Sequence, residues 1–189
     1  MKYCTECAAP LERKVPADDD RERFVCSECG FIHYQNPRVI VGCLPCFGEQ
    51  VLLCKRAIQP RYGLWTLPAG FMENGETTRQ GAARETWEEA RARVSSLELY
   101  RVFDVPYINQ VYVFYRCRLD DGAYGVGPES LESNLFFESE IPWDEIAFPV
   151  VRKTLESYFR DRQSASYPIE VNDVIRKQRP PGFAPSATG

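Results

Sequence analysis

Residues 70–92, GFMENGETTRQGAARETWEEARA, decide how this chain is read. On a helix each residue advances about 100°, so Glu85, Glu88 and Glu89 share one face. Each like-charge pair at that spacing costs about 0.2–0.5 kcal/mol. A helix with only a packing role has little reason to accept the crowding. A divalent cation between the carboxylates reverses its sign, and oxygen clusters of this kind favour hard ions such as Mg²⁺ or Mn²⁺. A solvated acidic helix face would show the same three residues, so the flanking sequence has to decide.

Upstream, Trp65-Thr66-Leu67-Pro68-Ala69-Gly70-Phe71 is an apolar, strand-like run broken by Pro and Gly. Asn74-Gly75 is a turn pair. Thr77 with Gln80 three residues on predicts a capping box at a helix start. Ala82, Ala83, Trp87 and Ala90 supply an apolar packing side. The segment therefore reads as strand, loop and helix, with carboxylates gathered beside a backbone turn.

In this register the segment resembles the Nudix box, G-x5-E-x7-R-E-U-x-E-E-x-G-U, where U is a bulky apolar residue. Gly70, Glu76, Arg84, Glu85, Glu88 and Glu89 match it. Thr86, Arg91 and Ala92 depart from it, on the packing side and at the helix exit. The resemblance implies a Nudix-type α/β/α sandwich with a mixed sheet over residues 37–160. It implies that Glu85, Glu88, Glu89 and the Ala69 carbonyl hold catalytic Mg²⁺ or Mn²⁺, and that Glu76 and Arg84 form a structural ion pair. The general base stays open between Glu85 and the downstream glutamates Glu129, Glu132, Glu138 and Glu140. Glu132 is favoured because it shortly precedes Leu135-Phe136-Phe137.

The 189 residues suffice for one core plus a small appendage, with an ordinary balance of 44% hydrophobic and 26% charged residues. A net charge of −4 disfavours non-specific nucleic-acid binding. There is no run of eighteen apolar residues and no apolar leader, so we expect a soluble, cytoplasmic protein without a membrane span. The eight cysteines then suggest metal binding before disulfides.

Cys4-x2-Cys7, eighteen intervening residues and Cys26-x2-Cys29 have the spacing of a structural Cys₄ zinc site. Reduced cysteines or two disulfides are the alternatives. Residues 1–36 resemble a zinc ribbon, a module found ahead of some Nudix domains. So short a segment buries too little apolar area to fold unaided, so bound Zn²⁺ is expected to supply its folding energy. Its five Lys or Arg against seven Asp or Glu argue against a nucleic-acid partner. Cys43-x2-Cys46 lies in Val39–Cys46, which reads as a buried strand, and His33 as a bystander.

Further strands are predicted at Gln50–Arg56, Leu97–Phe103 and Gln110–Arg118, the last with clear alternation. A second helix is predicted at Val150–Arg160 with an apolar stripe of Val151, Leu155, Tyr158 and Phe159. Strands and two helices in mixed order point to an α/β sandwich. Residues 161–189 form a carboxy-terminal extension whose end is expected to be disordered.

Adjacent phosphates repel a nucleophile, and divalent cations neutralise them and stabilise the leaving phosphate. The resemblance thus implies an enzyme that hydrolyses the pyrophosphate bond of a small-molecule nucleotide, releasing AMP and a second phosphate ester. Pro106, fifteen residues beyond Arg91, resembles a mark of ADP-ribose pyrophosphatases. The zinc ribbon, WTLPAGF and the run from Glu140 to Val150 resemble a subgroup acting on FAD and ADP-ribose. The motif SQPWPFPxS of NADH pyrophosphatases is absent, which disfavours NADH. Trp65, Phe103, Tyr107 and Tyr112 offer candidate stacking faces. A hydrolase of NAD-type ends or of dinucleotides, and a non-catalytic nucleotide sensor, are the alternatives. A homodimer is compatible with the resemblance.

Overall fold

The structure, a computed structural model, describes residues 1–175. The expectation for the chain's carboxy-terminal end lies outside the described residues. Two units are resolved, Met1–Pro37 and the remainder from Arg38.

The first unit is a three-stranded antiparallel sheet of β1 (Leu11–Lys14), β2 (Arg23–Cys26) and β3 (Ile32–His33). Leu11 pairs with Cys26 and Phe24 with His33. Val25, Cys4 and Cys26 are its buried apolar residues.

The second unit is built on a mixed sheet. Its strands are β4 (Arg38–Phe47), β5 (Gln50–Arg56), β6 (Trp65–Thr66), β7 (Ala69–Phe71), β8 (Val94–Val105), β9 (Gln110–Leu119), β10 (Ser130–Phe136) and β11 (Glu170–Asp173). The order is β10-β5-β4-β9-β8-β11, with β6 paired to β5 and β7 to β4. The β4–β9 and β8–β11 pairs are parallel. Helices α1 (Thr78–Ala90) and α2 (Pro149–Arg162) complete the unit.

Alternation along β9 explains the layers. Val113, Tyr115 and Cys117 cluster with Val41, Cys43 and Ala82 of α1. Phe114 and Tyr112 join the cluster that holds Val151, Leu155, Tyr158 and Phe159 of α2. The sheet is therefore apolar on both faces, and each face is covered by a helix. Burying each large side chain contributes roughly 1.5–3 kcal/mol.

Beyond α2, residues 163–175 return to the sheet. Arg101 is fully buried in β8 and bonds Asp161 at 2.6 Å and the Pro168 carbonyl at 2.6 Å. It stacks on Tyr100, whose hydroxyl donates to the same Asp161 carboxylate. A charge this deep is tolerated only when paired. That pairing ties the end of α2 and the approach to β11 onto β8.

Candidate functional site

The turn between β7 and α1 is made by its own hydrogen bonds. The Glu73 amide donates to Glu76 at 2.7 Å. Thr77 caps α1, its hydroxyl accepting from the Gln80 amide while the Gln80 side chain accepts from the Thr77 amide. Arg84, one face along, donates twice to Glu76, from Nε at 3.0 Å and Nη2 at 2.8 Å, and once to the Phe71 carbonyl at 3.1 Å. This fork clamps loop to helix. The clamp holds the Glu76 carboxyl down at about 2, chiefly through Arg84 with help from the Glu73 amide.

Glu85 and Glu89 point back at β7. A β-carbon at Gly70 would overlap the Glu85 carboxylate, so any other residue there would push that carboxylate from its place beside β7. The Ala69 amide donates to Glu89 Oε2 at 3.2 Å. Glu89 is 5% exposed. Burial, reinforced by the Glu85 charge, pushes its carboxyl up to about 8 against the pull of the Ala69 amide and Arg56. Glu85 is also raised, by burial first, with Arg84 opposing. Glu88 is more exposed and is held by Arg84 Nη1 at 3.0 Å, while the same nitrogen reaches Glu85 at 2.7 Å. The arrangement is a half-buried, like-charged oxygen cluster with one guanidinium at its edge. Hard, partly dehydrated carboxylate oxygens of this kind suit Mg²⁺ or Mn²⁺.

The downstream glutamates separate. Glu132 stands opposite Lys55 across β10 and β5 and pairs with it at 3.0 Å. Glu138 faces Arg162, and Glu140 accepts from the Phe137 amide. Glu129 is the one of the four whose charge bears on both Glu85 and Glu89. Glu132 thus sits in an ion pair with Lys55, while Glu129 is the downstream glutamate whose charge the cluster feels. The decisive signal is the path of the loop before β10, which short-range sequence does not reveal.

The stacking candidates also change. Phe103 is 1% exposed, packed edge-on against Phe114 in the core, and Trp65 is 6% exposed beneath Lys55 and Phe136. Neither presents a free face, so both are corrected to core residues. Pro106 opens an exposed 3-10 turn, Pro106–Ile108, in which Tyr107 is exposed. Tyr112 is partly buried and donates to Gln110 at 3.0 Å.

In the first unit the Sγ atoms of Cys4, Cys7, Cys26 and Cys29 lie within 4.8 Å of one another. Cys7 is 3.4 Å from Cys26 and 3.5 Å from Cys29, and Cys4 is 3.7 Å from Cys29. A tetrahedron of metal–sulfur bonds near 2.3 Å has edges of about 3.8 Å, so the cluster can hold a metal ion. The Cys29 amide, then that of Glu28, lowers the Cys26 thiol to about 6, toward the thiolate a metal needs. Among the described residues this is the only group of three or more Cys, His, Asp or Glu drawn so close. Cys43, fully buried in β4, and His33 lie outside it.

A family model described as a NUDIX domain matches residues 36–154, and one described as Nudix N-terminal, a zinc ribbon, matches residues 2–35. The chain belongs to the Nudix family. A Nudix hydrolase from Nitrosomonas europaea has a crystal structure that is 50% identical, with a TM-score of 0.89, covering 92% of this chain and 99% of that one. A MutT/nudix family protein from Enterococcus faecalis is 27% identical with a TM-score of 0.51, over 55% of this chain and 45% of its own. Among curated Nudix relatives, the NAD-capped RNA hydrolase NudC of Salmonella paratyphi C is 28% identical over 158 residues, 82% of this chain. The chain spans 59% of that relative's length. Among the described residues no helix is long and apolar enough to cross a membrane.

Proposed function

We propose that the protein hydrolyses the pyrophosphate bond of nucleoside diphosphate derivatives with Mg²⁺ or Mn²⁺ held by Glu85, Glu88, Glu89 and the Ala69 carbonyl. The observation that carries this reading is the burial of Glu89 beside Glu85, a repulsion that only a cation or a proton relieves. When bound, the metal neutralises the diphosphate and stabilises the leaving phosphate. The chain's own residues do the rest. Gly70 leaves space for Glu85, and Ala69 orients Glu89 through its amide. Glu76 and Arg84 hold loop and helix in one register. Glu129 is the carboxylate we assign to proton removal from the attacking water, a role that needs a base close to the reacting centre. We assign Zn²⁺ to the cysteine tetrad, as a closed site without chemistry.

ADP-ribose or FAD is the leading substrate, supported by the resemblance of WTLPAGF and Pro106 to that subgroup. A second reading, hydrolysis of NAD-type ends, is favoured by the relative named for NAD-capped RNA. A panel of ADP-ribose, FAD, NADH, CoA, diadenosine polyphosphates and an NAD-capped oligonucleotide, each with Mg²⁺ or Mn²⁺, tests both. AMP release from the first two, absent in Glu88→Gln, supports the leading reading. Cleavage of the capped oligonucleotide alone transfers support to the second. No turnover of any diphosphate rejects the hydrolase.

A further inference from the structure

The loop joining β9 to β10 crosses the last turn of α1. The Gly125 amide donates to the Ala90 carbonyl at 2.6 Å, and the Gly127 amide to the Glu89 carbonyl at 2.9 Å. Helix carbonyls that would otherwise end in solvent are thus capped by a distant segment. The approach at Gly127 is very close. A β-carbon there would overlap the Glu88 carbonyl oxygen and stand 2.7 Å from the Glu88 carbonyl carbon and 2.9 Å from that of Glu89. Gly127 has no left-handed φ, so space and not backbone conformation demands glycine. Two residues on, the Glu129 carbonyl accepts from the Ala57 amide at 2.8 Å, and the Gly127 carbonyl accepts from the Ser130 amide at 3.1 Å. The short segment from Gly127 to Ser130 is therefore tied to α1 at one end and to the end of β5 at the other.

We propose that Gly127 is a positioning residue: its missing side chain lets the loop seat on the backbone of Glu88 and Glu89, which fixes Glu129, two residues on, to the helix that carries the metal-binding carboxylates. The proposal rests on the hydrolase reading only for the task given to Glu129. The helix that carries the ligands and the loop that carries Glu129 share two hydrogen bonds, so they move as one body. Any side chain at 127 lifts the loop from the helix and carries Glu129 away.

The test is a double-mutant cycle in the full chain with Gly127→Ala, Glu129→Gln and the double variant, using Glu88→Gln as reference. Mn²⁺ affinity, followed by electron paramagnetic resonance, is read beside turnover. Gly127→Ala is expected to weaken Mn²⁺ binding by about 10–100-fold, the range for groups that orient a metal site. Glu129→Gln should do so by a similar factor, and the double variant should be no weaker than Glu129→Gln alone. Full additivity, or Mn²⁺ binding by Gly127→Ala equal to the wild type, overturns the proposal. Should Gly127→Ala fail to fold, amide hydrogen exchange in the wild type decides. Mg²⁺ should slow exchange at Gly125 and Gly127 by about tenfold or more, and lose that effect in Glu129→Gln; exchange indifferent to Mg²⁺ overturns it. If Glu129→Gln keeps wild-type Mn²⁺ affinity while Glu88→Gln loses it, the positioning role falls and the hydrolase reading stands. If no diphosphate is cleaved yet the Mn²⁺ cycle is non-additive, the hydrolase reading falls and the positioning role stands.

Discussion

The cysteine cluster of the first unit and the glutamate cluster of the second are assembled on opposite plans. In the first unit four sulfurs from two short knuckles converge within 4.8 Å, and beside a small sheet the only other buried apolar side chain is Val25. In the second, three glutamates on one helix stay apart, spaced by an arginine, a glycine and a backbone amide. On the first plan a bound ion would become part of the fold. The second builds the fold beforehand from two buried faces and leaves the carboxylates in a repulsive state that a cation can relieve. Ligands that converge closely belong to structure, whereas ligands held slightly apart by other side chains remain available for chemistry.

The sharpest way to break this contrast is to remove a sulfur. Cys26→Ser should abolish zinc binding and unfold the first unit, since structural zinc supplies on the order of 10 kcal/mol or more to such modules. Zinc analysis with amide exchange over residues 1–37 checks it, and a unit that stays folded without metal would void the contrast. The matching change in the second unit is Glu89→Gln. It should cost roughly 10³-fold in turnover, a loss of about 4 kcal/mol of transition-state stabilisation. Its melting temperature should hold near pH 7 and exceed the parent's above about pH 8, where the parent must ionise Glu89 in its buried place.

A smaller effect concerns protons. The Glu89 carboxyl rises from 4.5 to about 8 in the folded state, so between those values the folded protein binds more protons than the unfolded one. Without divalent metal, stability is therefore full below about pH 4.5 and falls as pH climbs through 8, by on the order of 2–4 kcal/mol. Melting curves from pH 5 to 9 with chelator should show the fall, and Mg²⁺ or Glu89→Gln should remove it. A flat profile would mean that the site is better solvated than its burial implies.

The smallest prediction lies at the helix exit. Arg91 caps α1 at φ 49°, a left-handed conformation that costs a non-glycine residue about 1 kcal/mol. Its guanidinium sits 5.7 Å from the Trp87 ring centroid, an exposed contact contributing about 0.5 kcal/mol, and Arg93 makes a similar one. Strain outweighs the contact, so Arg91→Gly should stabilise by about 0.5 kcal/mol, read as a small rise in melting temperature.

The sequence spoke most clearly where the physics is local. Thr77 and Gln80 form the expected capping box, β5 spans Gln50–Arg56 as predicted, and the stripe Val151, Leu155, Tyr158 and Phe159 is buried. It was silent where the deciding contact is distant. Phe103 reads as an aromatic free to stack until Phe114 and α2 close over it. Glu129 and Glu132 are indistinguishable by composition, and the difference comes from Lys55 across the sheet and from a loop resting on α1. β11 escaped notice because Glu170-Val171-Asn172-Asp173 carries poor strand formers. Its place beside β8 is marked by Arg101, which reaches both Glu170 of β11 and Asp161, 60 positions away in the chain.

That late strand bears on how the catalytic half is handled in the laboratory. The family match stops at residue 154, yet α2 runs on to Arg162 and β11 covers the outer side of β8. A fragment cut at the family boundary would strip Asp161 from Arg101, leave a guanidinium stranded in oil and bare the flank of β8 to intermolecular pairing. Trimming for expression should spare everything through residue 175, or the preparation will precipitate before any nucleotide is added.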